Sequence, residues 1–173
     1  QALANLATAH PSGRHRVRLT AGDATVRVTI GPLEDLPDPV PLALAAEPLD
    51  AAGLRPVVAH KTTWRAHYQR LRDQRPPGAF DVICHTPDAL VSEATLGNLA
   101  FRIDGRWVTP LAAAGLLPGV EREAWLADGT LTEAEVSLAD VGRAQQIAFL
   151  NAVRGWLPAV LVGSQGRAGS RRR

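Results

Sequence analysis

Along this chain, apolar and polar residues alternate in short runs more often than they recur at helical spacing. Residues 2–9, ALANLATA, read as the end of a helix that Pro11-Ser12-Gly13 breaks. Val17 and Leu19 then alternate with His15, Arg16, Arg18 and Thr20. After Ala21-Gly22-Asp23 turns the chain, Val26, Val28 and Ile30 alternate again, which predicts a β-hairpin with one wet face. Residues 31–41 carry prolines at 32, 37, 39 and 41 and read as an extended connector into an apolar strand, residues 41–46. Val57-Val58-Ala59 reads as a further short strand running into His60-Lys61-Thr62-Thr63. A helix follows, with Trp64, Tyr68 and Leu71 one above the other and Pro76-Pro77-Gly78 at its end.

The second half is denser in strands. Residues 80–85 and 90–94 flank a Pro87-Asp88 turn, and residues 98–103 and 106–108 flank Asp104-Gly105, the strongest hairpin signal in the chain. GLLPGVEREAWLADG opens as a Gly/Pro loop, becomes a helix near Pro118 or Gly119 and stops at Asp128-Gly129. Residues 131–136 predict a strand, 138–144 a short helix, and 147–150 and 158–162 two late strands around NAVRGW. Strands outnumber helices and many are joined by hairpins, so the fold class is α+β with a mixed, mainly antiparallel sheet and flanking helices.

Composition narrows the function. At 173 residues the chain has the size of one domain, and 46% hydrophobic with 21% charged residues is a globular balance. No apolar run approaches the roughly 20 residues of a helical membrane span, so no membrane partner is expected. The single cysteine, Cys84, excludes a disulfide framework or a multi-cysteine zinc site and reads as a small core residue. Five histidines, at 10, 15, 60, 67 and 85, show no ligand spacing, so no metal is expected. Trp107, Trp125 and Trp156 read as packing residues. The chain begins at Gln1 and has no methionine, which reads as a piece of a longer polypeptide, and no signal-peptide pattern opens it, so cytoplasmic residence is expected. Net charge is +2, but residues 163–173 hold four arginines and no acid, leaving residues 1–162 at −2. The tail reads as disordered, and the body lacks the basic face that nucleic-acid binding needs.

Three pieces carry candidate chemistry. Lys61 is the sole lysine beside 18 arginines. Arginine is permanently charged, whereas a lysine can lose its proton and act as a nucleophile; the competing reading is a surface lysine. Glu93 interrupts an apolar strand, and either faces water on an edge or turns inward with Val91, where it must be paired. Residues 116–122, LLPGVER, open a helix whose first N–H groups form an anion site suited to a phosphate.

The order and spacing of HKTTWR, VSEATLGNL, TPLAAAGLLPGVER and NAVRGWLP resemble the class IV family of pyridoxal-phosphate enzymes, which includes branched-chain and D-amino-acid aminotransferases and 4-amino-4-deoxychorismate lyase. HKTT, GLLPGV and NAVRG look most like the lyase domain fused behind aminodeoxychorismate synthase in some bacteria. The resemblance runs over residues 1–162 and implies the D-amino-acid-aminotransferase-like fold with pyridoxal 5′-phosphate as cofactor. It implies that Lys61 forms the Schiff base with the cofactor aldehyde and that Glu93 pairs with the pyridine nitrogen. Gly119, Val120 and Glu121 then hold the phosphate through main-chain N–H groups, and Asn98 supports the strand turn. Asn151 and Arg154 lie in a loop over the cofactor, with Arg154 a candidate for a substrate carboxylate.

The chain departs from the family in two places. Trp64 stands where an asparagine is common. The small N-terminal domain is nearly all missing, so residues 1–35 read as its remnant and linker, 36–162 as the large cofactor-binding domain and 163–173 as the tail. The resemblance implies a homodimer acting on a small molecule, fused to or partnered with the synthase. Three functions compete: the lyase, a class IV aminotransferase, and a non-catalytic remnant.

Overall fold

The computed structural model describes residues 2–22, 24–50 and 54–163. The arginine-rich tail and Asp23 of the first turn lie outside the described residues. The chain divides into two compact units, residues 1–36 and 37–173.

In the first unit the helix α1, Ala2–Ala9, precedes an antiparallel hairpin of β1, His15–Gly22, and β2, Thr25–Pro32. Gly13 ends the break at φ +85°, a conformation that a side chain would disfavour. The expected alternation is present, but it does not bury a face within the unit: Leu19 and Val26 are 53% and 66% exposed.

The second unit is built on one eight-stranded sheet. Its first strand, β3, is Val40–Leu44, and the peptide before Pro39 is cis. The short strand expected at residues 57–59 is instead a helical turn, α2, Arg55–Val58. Val57 and Val58 both donate to the Leu54 carbonyl, at 2.8 and 2.9 Å, and only Val58 is buried. Three apolar residues have no period to distinguish strand from helix. Lys61 therefore follows a helical turn, not a strand end. The next helix, α3, is Ala66–Asp73; it buries Tyr68 and Leu71, while Trp64 lies before it and is 56% exposed.

The strands β4, Asp81–His85, β5, Val91–Ala94, β6, Asn98–Ile103, and β7, Arg106–Pro110, follow close to where the turn signals place them. Asp104 and Gly105 have φ of 49° and 78°, the paired positive values of a tight hairpin turn. Helix α4 is Val120–Ala127 and strand β8 is Thr132–Ala134, shorter than expected. Helix α5, Leu138–Arg143, starts with a capping box between Ser137 and Asp140. Strands β9, Gln146–Asn151, and β10, Gly155–Leu161, enclose a turn tighter than NAVRGW suggests, because Gly155 already pairs with Asn151.

The sheet order is β5-β4-β3-β10-β9-β6-β7-β8. The β3 pairs with β4 and β10 are parallel, as is β7 with β8; the other neighbours are antiparallel. Strands β4 and β5 are buried almost throughout, which explains the apolar run Val82-Ile83-Cys84 of β4. Helix α3 packs Tyr68 and Leu71 with Val82 and Cys84 of β4. Trp125 of α4 meets Trp156 of β10, which meets Trp107 of β7, at centroid distances of 5.2 and 4.7 Å. No described helix is long and apolar enough to cross a membrane.

Candidate active site

Glu93 turns inward. It is 4% exposed on a strand buried at every position. Its Oε1 accepts from the Tyr68 hydroxyl and, at 3.2 Å, from the Leu117 N–H. Burial pushes the carboxyl up to about 7, against the pull of those two donors and of the positive charges on Arg65 and Lys61. The Tyr68 phenol is raised too, by burial first and then by the Glu93 charge.

The Leu117 peptide is held on both sides. Its N–H is bonded to Glu93 and its carbonyl accepts from Asn98 Nδ2 at 2.8 Å. Glu93 and Asn98 sit on the two arms of one hairpin, so that hairpin fixes the loop leading into α4. The turn between the arms is itself pinned by Asp81, whose carboxylate accepts from Thr95 Oγ1 at 2.5 Å, Leu96 N–H at 2.9 Å and Val82 N–H at 2.8 Å. Arg65 reaches the same turn: it donates to the Thr95 carbonyl, and its guanidinium lies 4.9 Å above the Tyr68 ring.

Two glycines permit this packing. A Cβ on Gly97 would meet the Leu150 carbonyl, and one on Gly119 would overlap Asn98 Oδ1. Gly119 has φ −74°, so its requirement is space rather than backbone freedom. It is the N-cap of α4 without a side-chain cap, and helix geometry leaves the first-turn N–H groups without intrahelical acceptors. Val120 is 76% exposed there, while Glu121 Oε1 accepts from Trp125 Nε1 at 2.8 Å.

The β9–β10 turn closes on the same region. Asn151 Oδ1 accepts from the N–H groups of Val153 and Arg154 at 3.1 and 3.0 Å, and its Nδ2 donates to the Leu96 carbonyl at 3.4 Å. A Cβ on Gly155 would lie 3.6 Å from Glu121 Oε1, which sets this turn beside the first turn of α4. The structure thus brings together Glu93, Asn98, Gly119, Val120, Glu121 and Asn151. Arg154 is half-buried in that turn, and Lys61 is exposed within electrostatic reach of Glu93. A cavity of about 320 Å³ near Thr86, Leu111 and Val136 includes none of these side chains in its lining. No metal-binding cluster occurs among the described residues.

Sequence reasoning placed Tyr68 in the core for its apolar spacing and Arg65 on the water-facing side of the helix, whereas Arg65 is half-buried and bonded to the Thr95 carbonyl. The available signal was chemical: a phenol on a buried stripe needs a polar partner, and Glu93 needed a donor.

The sequence profile of the family described as Amino-transferase class IV matches residues 1–162. The chain belongs to the class IV aminotransferase family. It is 31% identical over 149 residues to a Schizosaccharomyces pombe protein described as "Putative aminodeoxychorismate lyase", covering 82% of this chain and 63% of that one. The chain thus spans less than two thirds of this curated relative. The crystal structure of a "Putative amino-acid aminotransferase" from Mesorhizobium loti superposes with a TM-score of 0.81 at 32% identity, over 92% of this chain and 80% of that one. The fold also matches 4-amino-4-deoxychorismate lyase from Pseudomonas aeruginosa, with a TM-score of 0.71 at 21% identity over 92% and 66% of the two chains. The family fold accounts for the mixed sheet with few helices.

Proposed function

We propose that this chain is the larger part of a pyridoxal-phosphate enzyme that converts 4-amino-4-deoxychorismate to 4-aminobenzoate and pyruvate. The observation that carries the cofactor is the bonding of Glu93. A buried carboxyl at about 7 that spends both donors on Oε1 fits a protonated ring nitrogen as its missing cation. The α4 N-terminus, capped by Gly119 without a side-chain hydrogen bond, offers free first-turn N–H groups that fit a phosphate.

In this reading Lys61 holds the cofactor aldehyde, Glu93 its ring nitrogen, and Gly119, Val120 and Glu121 its phosphate. When bound, pyridoxal phosphate supplies an electron sink for a carbanion at the carbon bearing the substrate amine. Lys61 Nζ takes the proton from that carbon, and Glu93 keeps the ring nitrogen protonated. Asn98 and Asn151 act as supports, holding the Leu117 peptide and the β9–β10 turn. Arg154 binds a substrate carboxylate. Residues 1–35 belong to the small domain whose remainder completes the substrate wall, and the working unit is a homodimer, with a synthase fused or partnered.

The lyase reading is supported by the S. pombe relative and by the HKTT, GLLPGV and NAVRG motifs. The alternative is an aminotransferase, favoured by the likeness to the M. loti protein. One experiment separates the readings. Borohydride reduction of the pyridoxal-phosphate-loaded protein should leave a pyridoxyl group on Lys61, located by mass spectrometry. The labelled protein's unreduced counterpart is then given aminodeoxychorismate, or an amino acid with a 2-oxoacid. Pyruvate and 4-aminobenzoate release supports the lyase; amino-group exchange supports the aminotransferase; no label on Lys61 overturns both.

A further inference from the structure

The Glu93 carboxylate is bonded unsymmetrically. Tyr68 and Leu117 both donate to Oε1, and among the described residues no hydrogen bond reaches Oε2. Two donors from different elements, α3 and the loop before α4, fix the plane of the group. Rotation that offered Oε1 elsewhere would break both bonds.

Tyr68 is itself held. Its ring is 7% exposed within the α3–β4 cluster, and the Arg65 guanidinium lies over its face. That cation is anchored by the Thr95 carbonyl, in the turn of the hairpin that carries Glu93. A positive charge over the ring makes the hydroxyl a better donor.

We propose that Tyr68 is a positioning residue: its hydroxyl holds Glu93 by Oε1 and leaves Oε2 as the oxygen that meets the pyridine nitrogen. The inference rests on the cofactor reading above and adds a residue to it. Four other groups bear on Glu93 or feel its charge: Lys61 and Arg65 ahead of α3, the Leu117 N–H, and the Cys84 thiol on β4. Removing the Tyr68 hydroxyl leaves all of these in place, so a change in Glu93 is assignable to the bond.

Tyr68 is the only tyrosine in the chain, which allows the donor to be weakened or strengthened at one site. Tyr68→Phe keeps the ring, its packing and the Arg65 stack. Biosynthetic replacement of Tyr68 by 3-fluorotyrosine makes the phenol more acidic and a stronger donor. In protein free of pyridoxal phosphate, the carboxyl infrared band of Glu93, assigned by its loss in Glu93→Gln, is followed against pH. Tyr68→Phe should raise its midpoint by about one to two pH units, the effect of losing one hydrogen bond to a charged group, and fluorotyrosine should lower it. Absorbance titration with pyridoxal phosphate should show binding weakened about tenfold in Tyr68→Phe, with no further loss when Glu93→Gln is already present. If Tyr68→Phe fails to fold, the fluorotyrosine protein decides by the direction of its shift. An unmoved midpoint, with pyridoxal phosphate still attached at Lys61, overturns this inference alone. Absence of attachment at Lys61 in every protein, wild type included, overturns the cofactor reading and this inference with it.

Discussion

Glu93→Gln should stabilise the cofactor-free protein, and only at high pH. The amide keeps the side-chain shape and an acceptor oxygen, so the Tyr68 hydroxyl and the Leu117 N–H retain a partner. What it removes is a buried charge. A glutamic acid in the unfolded chain titrates near 4.5, whereas Glu93 in the fold titrates at about 7. Between those values the unfolded chain has released its proton and the folded one has kept it, so stability falls as pH rises. The loss begins near 4.5, is complete above about 7 and totals roughly 3 kcal/mol at 1.36 kcal/mol per pH unit. The glutamine is neutral throughout. Asp81, raised by burial, and His67, lowered by burial, titrate in both proteins and cancel from the difference. Urea unfolding followed by tryptophan fluorescence, in steps from pH 4.5 to 8.5, measures this difference. The two proteins should converge at the acid end, and the variant should be the more stable by on the order of 3 kcal/mol at pH 8. A difference that stays constant with pH, or a variant less stable at pH 8, would refute the assignment of a costly buried charge to Glu93. Pyridoxal phosphate should narrow the gap by stabilising the wild type more.

Gly119→Ala should lower pyridoxal-phosphate affinity more than tenfold and cost about 1–3 kcal/mol in urea unfolding, because its Cβ overlaps Asn98 Oδ1; Gly119→Ala combined with Asn98→Ala should recover part of the stability but not the affinity. The Tyr68 phenol, the one such group in the chain, should remain protonated beyond the ordinary tyrosine range in an ultraviolet pH titration of folded protein, and Glu93→Gln should bring it back toward that range. Arg122→Ala should cost about 1–3 kcal/mol by chemical unfolding, since Arg122 is 1% exposed and bonded to the Pro110 carbonyl and to the more exposed Glu123 and Glu133. Arg122 holds the Glu133 carboxyl below its usual 4.5, so the small Glu133 share of that cost is present above 4.5 and fades as pH falls through the lowered value.

What was legible in the sequence was set by local chemistry. Asp104-Gly105 fixes a hairpin because two successive positive φ values favour such residues. The apolar run Val82-Ile83-Cys84 of β4 is written by burial on both faces. Residues 57–59 misled because an apolar triplet fits a strand or one helical turn, and burial of Val58 alone is satisfied by the turn. The hairpin of β1 and β2 was readable as a hairpin, but its alternation does not bury a face within its own unit. Among site residues, Glu93 was visible as a charge where none belonged. Its partner Tyr68 was hidden because a tyrosine at i+4 of an apolar stripe looks like any core aromatic until the atom its hydroxyl meets is known.

The arrangement around Leu117 explains why these motifs are spaced as they are. A cofactor gripped at its ring nitrogen and at its phosphate needs those two grips held at a fixed separation. In the proposed site one peptide group would tie them: Glu93 bonds its N–H, Asn98 bonds its carbonyl, and Gly119, the N-cap of α4, follows two residues later. Glu93 and Asn98 must flank a tight turn to reach the same peptide, which is why five positions separate them and why Asp81 spends its buried carboxylate on that turn. Gly119 must lack a side chain because Asn98 occupies that space. A longer turn, or a bulkier residue at 119, would displace one grip relative to the other while leaving each side chain present. The sequence separation of the motifs is therefore a distance requirement, and inserting one residue between Glu93 and Asn98 should abolish pyridoxal-phosphate binding more completely than losing Asn98 itself.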